Sequence, residues 1–105
     1  MKTITCTALK SKLDAGEEVQ IIDIREAHEV DSGHMGGVHI PMADVMNRLD
    51  EIRQDCPVIL HCKSGSRASA MVYALETEKG FDNVYHLEGG IEAWANEIDP
   101  EIIVY

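Results

Sequence analysis

The sequence predicts an α/β domain with a mostly parallel central sheet, and three observations carry that prediction. Short apolar, β-branched runs recur at residues 19–23, 58–61 and 84–87. Between them lie stretches with apolar residues at helical spacing, which supply the crossovers that parallel strands require. Small turn residues, among them Gly16, Gly80 and the pair Gly89-Gly90, separate the two kinds of segment, and no internal repeat or low-complexity stretch interrupts the alternation.

Taken in order, Thr5 is placed to cap a short helix whose Leu9 and Leu13 point inward at i, i+4 and which Gly16 stops. Residues 19–23, Val-Gln-Ile-Ile-Asp, read as a buried strand. Glu26 to Val30 allows one helical turn, and Gly33, Gly36 and Gly37 make the following segment a loop. His39-Ile40 is a short strand before Pro41, and Met42, Val45, Met46 and Leu49 then recur at helical spacing. Residues 58–61, Val-Ile-Leu-His, form a strand after Pro57. Ala68, Met71, Val72 and Leu75 share one face of a helix from Arg67 to Lys79 that Gly80 closes. Residues 84–87 give a further strand, Gly89-Gly90 a turn, and residues 91–96 a helix with Trp94 packed inward.

A chain of 105 residues has room for one domain over residues 1–105 and can bury about two-thirds of its unfolded surface without disulfides. Nine Lys and Arg against nineteen Asp and Glu leave a net charge of −10, a sign that repels phosphate backbones and anionic lipid, so neither nucleic acid nor membrane is an expected partner. Any anion site must therefore be built from backbone dipoles and a few fixed cations. Cys6, Cys56 and Cys62 are odd in number and irregular in spacing, which argues against a disulfide framework and a four-ligand zinc site. With no apolar run resembling a signal or a spanning helix, the cytoplasm is the expected location.

The informative stretch is His61-Cys62-Lys63-Ser64-Gly65-Ser66-Arg67, between a predicted strand and a predicted helix. Ligands of open α/β sheets bind at the carboxyl ends of strands. A loop of small residues there can turn its N–H groups toward one point and share the positive end of the following helix. Such amides, with Lys63 and Arg67 nearby, favour the thiolate of Cys62, its reactive form, and Gly65 permits close backbone approach. Cys6 and Cys56 lack these surroundings and read as structural; His61 reads as a strand residue rather than a general base.

Three segments resemble the rhodanese-like sulfurtransferases. The loop from Cys62 to Arg67 is similar to that family's six-residue active-site loop. Ile22-Asp23-Ile24-Arg25 with Glu29, followed by Ser32-Gly33-His34-Met35 and Ile40-Pro41, resembles its first signature, one residue short between His34 and Pro41 and with Met35 in place of the common Ile. Residues 80–94, from Gly80-Phe81 to Ala93-Trp94, resemble its second. The resemblance implies a rhodanese-like fold with helices on both faces of the sheet. It also implies a persulfide mechanism in which Cys62 takes the outer sulfur of a small anionic donor such as thiosulfate and passes it to cyanide, a thiol or a protein. Lys63, Ser64, Gly65, Ser66 and Arg67 would form the loop that binds substrate and persulfide; Asp23, Arg25 and His34 would give structural support. No metal or other cofactor is required.

Two other readings compete. Residues 61–67 are also similar to the cysteine phosphatase signature His-Cys-x-x-Gly-x-x-Arg, which makes a phosphatase or arsenate reductase the second reading, but the Arg comes one residue early, the smaller nest suits one sulfur atom better than a phosphoryl group, and no separate Asp-bearing acid loop is evident. A non-catalytic rhodanese-like binding module is the third reading, weakened by the retention of Cys62 and its Gly-containing loop. The form of the loop and the segment from Ala93 to Pro100 also resemble rhodanese domains fused behind enzymes that adenylate sulfur-carrier proteins, which hints at a protein acceptor.

Overall fold

The computed structural model describes residues 1–105. Its elements run in chain order as β1 (Thr3–Ile4), α1 (Cys6–Asp14), β2 (Gln20–Asp23), α2 (Ala27–Ser32), β3 (Val38–His39), two 3-10 segments (Met42–Asn47 and Leu49–Glu51), β4 (Val58–His61), α3 (Ser66–Lys79), β5 (Val84–Leu87) and α4 (Gly90–Glu97). Every strand pairing is parallel, in the spatial order β1-β5-β4-β2-β3.

Alternation along the strands divides the core into two layers. Ile22, Val58, Leu60 and Val84 face Ala68, Met71, Val72 and Leu75 of α3, with Val45 and Ile52 of the 3-10 connection completing that side. Ile4, Ile59 and Leu87 face the other way, onto Cys6 and Leu9 of α1 and Trp94 of α4. Helices thus cover both faces, as the α/β reading requires, and the central strand β4 is buried at every position.

Local signals account for most boundaries. The Thr5 hydroxyl accepts from the Ala8 N–H and caps α1. α3 carries its four predicted apolar residues inward and ends at Gly80 in the left-handed region. Three expectations are corrected. Leu13 is 37% exposed rather than inward, because α1 meets α4 and the sheet through Cys6 and Leu9 and its last turn runs past that contact. Met42–Asn47 and Leu49–Glu51 are 3-10 rather than α-helical: Asp44 N–H donates to Pro41 O and Arg48 N–H to Val45 O, and an i, i+3 apolar spacing serves either helix type. The short strand before Pro41 is Val38–His39, one residue earlier than expected, although Ile40 N–H still donates to Asp23 O. No helix is long and apolar enough to cross a membrane.

Candidate active site

Because the strands are parallel, the segments after β2, β4 and β5 emerge at one edge of the sheet. Cys62 follows β4 directly and is fully buried. The chain then turns through Lys63, half-buried, and Ser64, exposed, to Gly65, which caps α3 at φ 113°, a conformation that a side chain would strain. That turn aims Gly65 N–H at the Cys62 sulfur, 3.2 Å away, and Ala68 N–H reaches the same sulfur at 3.4 Å. Ala68 belongs to the first turn of α3, whose N–H groups have no intrahelical acceptor. Two converging amides at a helix N-terminus stabilise negative charge on sulfur. Ser66 and Arg67 open α3, the former exposed and the latter partly so.

The other wall of the loop is α4. Ile91 N–H donates to Cys62 O at 2.9 Å and Glu92 N–H to Lys63 O at 3.0 Å. Gly90, at φ 61°, packs so closely on this segment that a β-carbon would stand 2.7 Å from Cys62 O and closer still to the Lys63 carbonyl. The α4 terminus therefore holds two loop carbonyls toward itself and leaves the amides that follow free to face the sulfur. Gly89-Gly90 reads in the sequence only as a turn; nothing local reveals what it packs against.

Arg67 does not stand free. Its Nη1 and Nη2 each donate to a different oxygen of the Glu29 carboxylate at 2.8 Å. The Glu29 side chain is largely buried and also accepts from Glu26 N–H at 2.8 Å, half of a capping box at the start of α2. Hydrogen bonds from Arg67 hold the Glu29 carboxyl at about 2 against the opposing effect of burial. Glu29 is a site residue to which the sequence pattern attaches no role. Beyond its place in the first, in chain order, of the resembling segments, its local signal is the Glu26-x-x-Glu29 spacing, with Glu where a capping box usually has Ser or Thr.

Beneath α2 lies a buried ion pair. Arg25, fully buried, binds Asp23 through Nε and Nη2, the latter at 2.8 Å. Its remaining donors reach Glu29 O at 3.2 Å and Gly33 O at 2.8 Å, so the pair anchors the segment that presents Glu29. Burial would raise the Asp23 carboxyl, but the Arg25 bonds and the nearby His61 outweigh it and hold it below its ordinary value. His34 stands apart: it is exposed, and its Nδ1 accepts from Gly36 N–H at 3.2 Å within its own turn. His61, paired in register with Asp23, is fully buried, with neither ring nitrogen hydrogen-bonded and Nε2 3.8 Å from Asp23 Oδ2. Burial pushes its pKa down to about 4 despite Asp23, so the ring is neutral at neutral pH. Cys6 is buried elsewhere, beside Glu88, and burial with the Glu97 and Glu88 charges pushes its thiol up to about 11.

The chain is similar to known proteins along nearly its whole length. The family profile described as "Rhodanese-like domain" matches residues 5–97. The Bacillus subtilis protein "Putative sulfurtransferase YtwF" is 37% identical over 96% of this chain and 97% of its own. The Mycobacterium tuberculosis "Probable adenylyltransferase/sulfurtransferase MoeZ" is 34% identical over 98% of this chain, which spans only 27% of that protein's length. Among solved structures, a "Rhodanese-like Domain Protein from Staphylococcus aureus" superposes with a TM-score of 0.84 at 31% identity, covering 100% of this chain and 99% of that one.

Proposed function

The chain belongs to the rhodanese-like domain family, and from that premise we propose that it is a sulfurtransferase working through a persulfide on Cys62. The observation that carries this reading is the Cys62 sulfur held by Gly65 N–H and Ala68 N–H at the end of the central strand. In the first half-reaction the thiolate attacks the outer sulfur of a sulfane donor such as thiosulfate. The S–S bond of the donor breaks, its electron pair leaves with sulfite, and Cys62 keeps the transferred atom as a terminal S⁻. The same amides that stabilise the thiolate stabilise this persulfide anion. In the second half-reaction cyanide, a thiol or a protein thiol attacks the terminal sulfur and restores the thiolate. A protein acceptor gains support from relatives named as joint adenylyltransferases and sulfurtransferases.

Burial of Cys62 shields the persulfide from water and stray thiols, and entry of a donor requires the loop 63–67 to yield. The phosphatase reading loses ground here, because its Arg must offer a free fork to phosphate and both terminal nitrogens of Arg67 are engaged by Glu29. Intact mass after incubation with thiosulfate tests the proposal. The expected product is the chain plus one sulfur atom, reversed by cyanide or a thiol and absent in Cys62→Ser. An unmodified mass with every sulfane donor tried overturns it.

A further inference from the structure

The active-site loop carries two cations, and the fold treats them differently. Lys63 has no acidic partner, whereas Arg67 is bound through both terminal nitrogens by Glu29. The Glu29 carboxylate cannot swing aside without cost: Glu26 N–H holds one of its oxygens, and Arg25 holds its backbone carbonyl from the buried side. Arg67 lies within the field of the Cys62 sulfur, and Glu26 adds a further negative contribution there. The loop thus carries one cation without an acidic partner, Lys63, and one already paired by Glu29, in a chain of net charge −10.

Resting on the sulfur-transfer reading, we propose that Glu29 is a specificity-determining residue. By neutralising Arg67 it turns Cys62 toward sulfane donors that bear a single negative charge, organic thiosulfonates and persulfides, and away from dianionic oxyanion donors such as thiosulfate. The chemistry is the same in both classes. Cys62–S⁻ attacks the outer sulfur of R–SO2–S⁻ or R–S–S⁻, the S–S bond breaks, and the electron pair leaves on the sulfinate R–SO2⁻ or the thiolate R–S⁻ respectively. With thiosulfate the leaving group is sulfite, whose second charge is present from the start and must be accommodated as the donor enters. Arg67 is the group suited to meet that extra charge, and Glu29 already occupies it.

Methanethiosulfonate and thiosulfate form the decisive pair, since a methyl group replaces one oxyanion and little else changes. The experiment measures thiocyanate formation from each donor with cyanide in the wild type, Glu29→Gln and Glu29→Gln/Arg67→Gln. Gln keeps an acceptor for Glu26 N–H while removing the charge. In Glu29→Gln the ratio of kcat/KM for thiosulfate to that for methanethiosulfonate rises about tenfold, the scale of one unit charge acting over a few ångströms in a half-solvated site. The gain comes from a lower thiosulfate KM and fades as salt shortens the screening length. In the double variant, which no longer holds the freed cation, the ratio returns to the wild-type value. A ratio unchanged in Glu29→Gln, or a rise that persists in the double variant, overturns the inference while sulfur transfer stands. A wild type that takes sulfur from neither donor overturns the sulfur-transfer reading itself, and the inference with it.

Discussion

Gly90 and Cys62 are 28 positions apart in the chain, yet a β-carbon on Gly90 would stand 2.7 Å from the Cys62 carbonyl oxygen. The contact is backbone on backbone, so no flexible side chain can give way. It places the N-terminus of α4 where Ile91 N–H can bind that same carbonyl. The second glycine of the Gly89-Gly90 pair is therefore part of the wall that shapes the cysteine loop.

Gly90→Ala should lower sulfur transfer by about a hundredfold or more and cost roughly 2–4 kcal/mol of stability, through the clash and the left-handed φ together. Gly80→Ala is the control. Gly80 has a similar φ of 72°, but a β-carbon there would meet nothing within 4 Å, so its cost should be about 1 kcal/mol with transfer unchanged. Urea unfolding and thiocyanate formation check both.

Cysteine substitutions separate the sulfur at the loop from the other two. Cys62→Ser should lose about three orders of magnitude or more in thiocyanate formation. Cys6→Ser and Cys56→Ser should retain activity, Cys6 because its buried thiol, at about 11, stays protonated at neutral pH. Steady-state rates of the three variants, with intact mass after donor exposure, decide the matter.

His61 should make the protein acid-labile. Its pKa is about 4 in the fold and about 6.5 in the unfolded chain, so between those values the unfolded state binds the extra proton. Stability is full above pH 6.5 and falls as the pH drops toward 4, by an amount on the order of 2–3 kcal/mol. His61→Phe should flatten this window. Glu29 acts in a lower one: its depressed pKa contributes stability above about 4.5 that is lost as the pH falls toward 2. Urea midpoints at pH 7.5, 6, 4.5 and 3 distinguish the two groups.

The Asp23–Arg25 pair should respond to partial and complete removal in opposite order. Asp23→Asn leaves a fully buried guanidinium without its counter-charge and should cost about 3–5 kcal/mol. Asp23→Asn with Arg25→Met removes the charge and should cost less than the single change. Because Arg25 also holds the carbonyls of Glu29 and Gly33, the double variant should still fall short of wild-type stability. Denaturant unfolding of the two variants at neutral pH gives the comparison.

Much of this protein is written in local pattern. Residues 58–61 are apolar or β-branched up to His61 and form the central strand because both faces of that position are covered. Ala68, Met71, Val72 and Leu75 recur at the period of a helix, and Gly80 ends it in the left-handed region where a side chain would strain. The cysteine loop is legible for the same reason: its small residues, its Gly and the helix start that follows are contiguous. Even there the amide of Ala68, one residue past the predicted loop, supplies a bond to sulfur that the motif does not mark.

What the tertiary structure alone decided is who meets whom across the chain. Periodicity gave Leu13 an inward place, and the short reach of α1 along α4 left it in solvent. An i, i+3 spacing over residues 42–49 suits α and 3-10 helices alike, and the packing of the connection chose the latter. Glu29 and Arg67, 38 residues apart, bind each other because α2 and the start of α3 follow adjacent parallel strands whose carboxyl ends share one edge. Sequence spacing reports which residues share a face of one element. Ion pairs and backbone contacts between elements depend on strand order and crossover, which no local window contains.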